Sequence, residues 1–166
     1  MIEGLLRFSR IANTSEQRGP VDLEAILAET LRTLSPKEGI RILREEPLPV
    51  VEGERGRLRE LFQCLLDNAL KAMVGDQGEI RIGACQERSR WKIWIQDSGR
   101  GIPPEHQERI FRLFQKVSPE EEGIGVGLTL ARKIVRMEGG ELSLQSRPGE
   151  GTIVFFSLPM ADGVPV

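Results

Sequence analysis

Residues 96–103 read Gln96-Asp97-Ser98-Gly99-Arg100-Gly101-Ile102-Pro103, and they follow directly on the run Trp91-Lys92-Ile93-Trp94-Ile95. The run has the composition of a pleated, half-buried strand, and the glycines allow the backbone to turn and to approach another group closely. A carboxylate at the end of a buried strand is costly unless a hydrogen-bond donor pairs with it. The pattern therefore predicts a strand-to-turn junction in which Asp97 meets either local backbone N–H groups or a donor group of a ligand.

The composition is that of one soluble globular domain. The chain has 166 residues, of which 39% are hydrophobic and 29% charged, and its net charge is −2. This charge gives no reason to expect a nucleic acid or an anionic membrane as partner. The sequence has no apolar run of about 18 residues that could span a membrane, and no signal-peptide pattern. Two cysteines and one histidine neither frame a disulfide scaffold nor supply a zinc site, so we expect a reducing, cytoplasmic compartment.

Hydrophobic periodicity predicts an alternation of helices and paired strands. Helical spacing follows Asp22, fills residues 55–73, and returns after Pro103-Pro104 and after Gly127; strand-like runs fill residues 40–43, 79–85, 91–97, 141–145 and 152–158. Antiparallel pairs with helices gathered to one side indicate a two-layer α/β sandwich.

The long helix carries the first polar candidates for a binding site. At about 100° per residue, Asn68 falls at the border of the apolar stripe, and we expect Lys71 and Cys64 on the polar side beside it. An amide oxygen at the edge of a core is a suitable ligand for Mg²⁺, and a nearby lysine suits a phosphate. The alternative is an ordinary surface asparagine next to a solvated lysine.

The run Gly123-Ile124-Gly125-Val126-Gly127 opens a helix and forms the second candidate. Bare backbone N–H groups and the positive end of the helix dipole would favour an anion there. The run is not a dinucleotide fingerprint, since Leu128 stands where the third glycine would fall, and the chain has no Gly-Lys-Ser/Thr of a Walker loop. A flexible loop without a ligand is the alternative.

Taken in order, these features resemble the Bergerat-type ATP-binding domain, and most closely the catalytic ATP-binding domain of bacterial sensor histidine kinases. The similarity runs from about Val21 to Pro159. The matching segments are Leu65-Leu66-Asp67-Asn68-Ala69-Leu70-Lys71 (N box), Asp97-Ser98-Gly99-Arg100-Gly101-Ile102 (G1 box), Ile110-Phe111-Arg112-Leu113-Phe114 (F box) and Gly123 to Leu128 (G2 box). The resemblance implies a mixed, mostly antiparallel sheet of about five strands, covered on one face by about three helices, with a mobile ATP lid over residues 104–126.

The resemblance also implies ATP or ADP and Mg²⁺ as ligands. Asp97 would accept a hydrogen bond from the adenine amino group, Asn68 would bind Mg²⁺, and Lys71 and Lys116 would contact phosphate. The full set of implied nucleotide-binding residues is Asn68, Lys71, Asp97, Gly99, Gly101, Ile102, Phe111, Lys116, Gly123, Gly125, Val126, Gly127 and Leu128.

Two positions depart from the family pattern. Cys64 stands where the N box commonly begins with a further asparagine, so one phosphate or metal-water contact would be missing or replaced. His106 is the single histidine, and it lies within the lid segment rather than on a dimerising helix. We therefore expect His106 to be an exposed helix residue, and the phosphoacceptor histidine to lie on a domain that these 166 residues do not include.

Residues 1–14 have helical spacing and resemble the end of the second helix of the dimerisation hairpin. We expect residues 1–14 to be that truncated helix end, 15–20 a hinge, 21–160 the catalytic ATP-binding domain and 161–166 a tail. The implied activity is transfer of the γ-phosphoryl group of Mg-ATP to a histidine of the dimerisation domain, without autophosphorylation in its absence. The implied partners are that domain, within a homodimer of the parent kinase, and a response regulator.

Three alternatives remain open at this point. The same fold serves serine-directed kinases that control anti-sigma partners, and it serves stand-alone ATPases. A third alternative is a nucleotide-binding module in which Cys64 has impaired transfer. The signal sensed, the membrane anchoring of the parent protein and the role of the acidic segment Glu120 to Glu122 do not follow from the sequence.

Overall fold

The computed structural model describes Leu6, Ser9, residues 17–107, Arg109 and residues 127–161. Within this part of the chain, strands and helices alternate as the hydrophobic pattern predicts. The elements are β1 (Gly19–Asp22), α1 (Leu23–Leu34), β2 (Ile40–Arg44), β3 (Val50–Gly53), α2 (Arg55–Lys71), β4 (Gly78–Glu87), β5 (Arg90–Asp97), a 3₁₀ turn (Pro104–His106), α3 (Gly127–Met137), β6 (Leu142–Arg147) and β7 (Gly151–Pro159).

The main sheet has five strands in the order β2-β4-β5-β7-β6. The pair β2–β4 is parallel, and the other three pairs are antiparallel. β5 therefore lies in the centre of the sheet, where both of its edges are hydrogen-bonded. The predicted mixed, mostly antiparallel five-stranded sheet is confirmed.

The three helices of the described residues pack on one face of this sheet. α2 is the middle helix, and it contacts both α1 and α3 as well as β5. Between helix and sheet, the rings of Phe62 and Phe156 meet edge to face with their centroids 5.9 Å apart. The two-layer α/β sandwich is therefore confirmed. None of the described helices combines the length and the apolar character that crossing a membrane requires.

Local signals set the bounds of α1 as expected. The Asp22 side chain caps the helix by accepting a hydrogen bond from the N–H of Glu24 at 3.0 Å. At the other end, Ser35 adopts a left-handed conformation with φ of 46° and its N–H bonds to the carbonyl of Leu31.

Three details differ from the sequence-based expectation. Gly19 and Pro20, placed in a hinge, belong to β1. The hydrophobic pattern predicts no strand at Val50–Gly53, yet this stretch is β3 and pairs with β1 in a separate two-stranded sheet. The expectation that Cys64 lies on the polar side of its helix is wrong, because its side chain is only 2% exposed. The middle helix is covered on two flanks by its neighbours as well as by the sheet, so its buried stripe is wider than one amphipathic face.

Candidate functional site

Asp97 ends the central strand and is buried. It is 4% exposed and lies in register between Ile80 of β4 and Thr152 of β7. Its Oδ1 accepts the N–H of Gly99 at 2.9 Å. Burial raises the pKa of the Asp97 carboxyl to about 6, although the N–H groups of Gly99 and Thr152 and the charge of Arg100 lower it. A buried carboxylate of this kind gains from a further donor, which a ligand can supply.

The two glycines after Asp97 make the close approaches that the sequence predicts, and the neighbours they approach are protein backbone. A Cβ on Gly99 would lie 2.4 Å from the carbonyl oxygen of Ala72, at the end of α2. Gly101 has φ of +72°, and a Cβ there would lie 1.9 Å from the carbonyl oxygen of Arg147. The glycines thus attach the turn to α2 on one side and to the β6–β7 hairpin on the other.

Asn68 lies on α2 between two contacts that bring the sequence motifs together. Cys64, Asn68 and Ala72 are spaced four residues apart, so they follow one side of the helix. Next to Cys64 is the start of α3, where the Cβ position of Gly127 lies 4.0 Å from the Cys64 carbonyl oxygen. Next to Ala72 is the turn at Gly99. The half-buried Asn68 is therefore flanked by the turn of Asp97 and by the start of α3.

The remaining described candidates take three different positions. Lys71 is exposed at the end of α2, and its Nζ lies 3.0 Å from Oδ2 of Asp67. Ile102 is half-buried and packs against the core, whereas Leu128, in the first turn of α3, is 6% exposed.

His106 is half-buried in the 3₁₀ turn rather than fully exposed, and its Nδ1 lies 3.3 Å from Nη1 of Arg109.

Five candidate residues lie outside the described part of the chain. They are Phe111, Lys116, Gly123, Gly125 and Val126. Their expected roles in the lid and around the phosphates stay predictions.

Comparisons with known proteins show the family to which the chain belongs. Residues 53–162 match the family model described as histidine kinase-, DNA gyrase B- and HSP90-like ATPase. The chain belongs to this family. It is 36% identical over 159 residues to the methanogenesis regulatory histidine kinase FilI of Methanothrix harundinacea, covering 93% of this chain and 18% of FilI.

Solved structures of histidine kinases share the fold of this ATPase-family chain. The mycobacterial sensor histidine kinase MprB superposes with a TM-score of 0.76 at 25% identity, over 86% of this chain and 97% of that one. Full-length ShkA, solved in complex with AMPPNP, superposes with a TM-score of 0.80 at 27% identity, over 99% of this chain and 36% of the ShkA chain. The chain spans about a fifth of the length of the first curated relatives it matches, at 18%, 22% and 21%.

The oxygen donors next to the turn fit a magnesium ion of the kind that nucleotide phosphates bring. In the parts of the chain that the structure describes, no three His, Cys, Asp or Glu side chains cluster as a metal cage. Mg²⁺ in phosphoryl-transfer sites commonly takes only one or two protein oxygens and completes its shell with phosphates and waters. The half-buried amide of Asn68 can supply one such oxygen.

Two residues next to the turn after Asp97 carry no recognisable signal in the sequence. Thr152 lies directly across from Asp97 on β7, and it is 4% exposed. The Ser146 hydroxyl on β6 accepts the N–H of Ile102 at 2.8 Å. The sequence places both residues in a hairpin, but the register of that hairpin against β5 is a property of the assembled sheet.

Proposed function

We propose that this chain is the catalytic ATP-binding domain of a sensor histidine kinase. The observation that carries the proposal is the position of Asn68 on α2, between the turn that holds Asp97 and the start of α3 at Gly127. The amide, the buried carboxylate and the glycine-flanked helix start thereby line one region of the molecule. An adenine nucleotide has a matching feature for each group: an amino group for the carboxylate, a metal-bound phosphate chain for the amide, and negative charge for the helix start.

Each of these residues contacts the part of the nucleotide that suits its chemistry. Asp97 accepts a hydrogen bond from the adenine amino group, which guanine lacks at that position. Asn68 holds the magnesium ion that, when bound, neutralises charge on the phosphates. The start of α3 at Gly127 directs its N–H groups towards the phosphates. Lys71 can exchange its exposed pair with Asp67 for a phosphate oxygen at small cost, because exposed ion pairs contribute little stability.

The residues outside the described ranges complete the proposal. Lys116 adds a second cation for the phosphates, Gly123, Gly125 and Val126 wrap them, and Phe111 belongs to the lid. AMPPNP bound to ShkA supports an adenine nucleotide as ligand, since this chain shares the ShkA fold over 99% of its length.

The proposed acceptor is a histidine on a dimerisation domain of the parent protein. In the transfer, the bond between the γ-phosphorus and the bridging oxygen of ADP breaks, and a bond to an imidazole nitrogen forms. His106 is no match for this role, because it lies half-buried in the 3₁₀ turn Pro104–His106. The proposal includes a cytoplasmic location, a homodimeric parent kinase and a response regulator that receives the phosphoryl group.

Labelled ATP tests the transfer directly. The chain is incubated with γ-labelled Mg-ATP and a separately produced histidine-bearing hairpin domain of a sensor kinase, and Asn68→Ala serves as the inactive control. We expect acid-labile label on the hairpin domain and none on the chain alone. Acid-stable label on serine would instead support the serine-directed alternative. Transfer restored only by Cys64→Asn would indicate a module with an impaired site.

A further inference from the structure

Ser146 lies on β6, outside the motifs of the sequence, yet its hydroxyl is the centre of a hydrogen-bond network. The N–H of Ile102 donates to Ser146 Oγ at 2.8 Å, and Ser146 Oγ donates to the carbonyl of Gly151 at 3.0 Å. The third neighbour is the hydroxyl of Thr152, at 2.7 Å between the two oxygens. One side chain thus joins the turn after Asp97 to the start of β7.

The direction of the third hydrogen bond follows from the first two. A serine hydroxyl has one proton to donate and two lone pairs to accept with. The carbonyl of Gly151 can only accept, so it takes the single proton of Ser146, and the N–H of Ile102 can only donate. With the proton of Ser146 on the carbonyl of Gly151, the bond between the two hydroxyls takes its proton from Thr152. Its proton points at Ser146, and its oxygen has only acceptor capacity left for any other group.

This orientation matters because Thr152 is the neighbour of Asp97. The two residues are directly opposite in the β5–β7 register, and side chains of directly opposed residues share one face of a sheet. Each is 4% exposed. The wall they form presents a carboxylate and a hydroxyl oxygen, both as acceptors. Such a wall favours an amino group and opposes an oxo group, because buried acceptors that face each other lack a proton.

We propose that Ser146 is a positioning residue for purine selection: it engages the proton of Thr152, so that the wall beside Asp97 accepts hydrogen bonds and does not donate them. The inference rests on the proposed function, because it takes the amino edge of the purine to face Asp97. It assigns to a residue of β6 a part in rejecting purines that carry a 6-oxo group.

The network also shows that removal of the hydroxyl leaves the turn supported. The Gln107 side-chain amide donates to the carbonyl oxygens of both Ile102 and Ser146, each at 3.1 Å. The carbonyl of Arg100 accepts the N–H of Gly149 at 2.7 Å. We therefore expect Ser146→Ala to fold, with its main effect on the orientation of the Thr152 hydroxyl.

The test compares Mg-ADP with Mg-IDP, in which an oxo group replaces the amino group. Calorimetry on the whole 166-residue chain gives both affinities for the parent, for Ser146→Ala and for Ser143→Ala, a matched control on the exposed face of β6. In Ser146→Ala the Thr152 hydroxyl can turn and donate. We expect the preference for ADP over IDP to fall by about 3- to 10-fold, as for one hydrogen bond, with no loss of IDP affinity. Ser143→Ala is expected to keep the parental preference.

Several outcomes separate positioning from simple support of the fold. Equal losses for both nucleotides, or an unchanged preference, overturn the inference. In a Thr152→Val background, Ser146→Ala is expected to leave the preference unchanged, and a further fall contradicts the account. Ser146→Thr is expected to retain the parental preference, and Ser146→Cys offers a second variant if the alanine protein does not fold. A parent chain that binds neither nucleotide overturns the proposed function as well, which a change limited to preference does not.

Discussion

At the scale of single residues, burial and local donors shift the pKa of Asp97 in opposite directions. Its position at the end of the central strand removes it from water, and this raises its pKa to about 6 despite two backbone donors and the nearby Arg100. The ligand-free protein therefore keeps a carboxylate at neutral pH at some cost in stability. We propose that this carboxylate is a strong and selective hydrogen-bond acceptor for an amino group of the ligand.

This cost predicts a pH-dependent difference between the parent chain and Asp97→Asn. A carboxyl whose pKa rises on folding, here from 3.8 to about 6, binds more protons when folded, so its contribution to stability falls as pH rises through that window. The asparagine does not titrate. Without nucleotide, we expect the free energy of unfolding of the parent to decline relative to Asp97→Asn by about 2 kcal/mol between pH 4 and pH 7.

Denaturant unfolding of both proteins over this range measures the difference. A difference that stays constant with pH would show that Asp97 ionises as easily in the folded chain as in the unfolded one.

At the residue scale, only local patterns in the sequence single out candidates, and the roles of these candidates stay predictions. Asp97 stands out because an acid follows a strand and precedes two glycines, and Asn68 because of its place on a helical stripe. Thr152 and Ser146 gave no such signal. Their relation to Asp97 depends on the pairing of β7 with β5, which brings Thr152 and, through the local β6–β7 hairpin, Ser146 next to a residue more than forty positions earlier in the chain.

At the scale of elements, the turn after β5 depends on glycine for two different reasons. Gly99 avoids a clash with the end of α2, whereas Gly101 combines a positive φ with a backbone neighbour at 1.9 Å from a Cβ position. Gly75, before β4, has a similar φ of +77° but no atom within 4 Å of its Cβ position. A comparison of Gly101 with Gly75 therefore separates the strain of a positive φ from the clash with the neighbouring backbone.

We expect Gly101→Ala to destabilise the chain by at least about 3 kcal/mol and to abolish nucleotide binding, because both the conformation and the clash oppose the new side chain. Gly75→Ala serves as the control and is expected to cost about 1–2 kcal/mol, the strain of a left-handed alanine alone. Thermal and denaturant unfolding compare them. Equal losses of stability for the two variants would mean that the turn can move away from the hairpin.

Element prediction from sequence was accurate for α1, α2, α3 and the two hairpins, which depend on local periodicity and turn residues. The helix expected after Pro103-Pro104 falls mostly outside the described residues, which show the 3₁₀ turn Pro104–His106 at its start. The sequence-based prediction missed both β1 and β3, because the four-residue stretches Gly19–Asp22 and Val50–Gly53 have no alternating pattern and become strands by pairing with each other. It also misjudged Cys64, because a single helix does not reveal how many neighbours will cover it. The residue types within one helix do not show which other elements will pack against its sides.

At the scale of the whole molecule, a buried charge cluster joins parts of the chain that are distant in sequence. Glu138, just after α3, has a fully buried side chain that accepts from Nη1 of Arg18 at 2.7 Å and from the N–H of Glu54 at 3.2 Å. Nη1 of Arg57 lies 3.4 Å from its other oxygen. The cluster connects the segment before β1, the start of α2 and the end of α3.

Glu138→Gln is expected to lower the free energy of unfolding by about 3 kcal/mol, because it removes a fully buried charge that pairs with the largely covered Arg57 and the partly exposed Arg18. Glu150→Gln is the control, since the pair of Glu150 with Arg147 is exposed and 3.9 Å apart, and we expect a change below about 0.5 kcal/mol. Chemical denaturation measures both. A loss for Glu138→Gln no larger than that of the control would show that the cluster does not hold these elements together.

Three sequence motifs meet around α2, and discrimination between adenine and guanine tests whether they form one nucleotide site. Calorimetry compares Mg-ADP with Mg-GDP on the parent chain and on Asp97→Asn. We expect binding heat with Mg-ADP, far weaker or no binding with Mg-GDP, and reduced affinity for Mg-ADP in the variant. No heat with Mg-ADP, or equal affinity for the two nucleotides, would contradict the account.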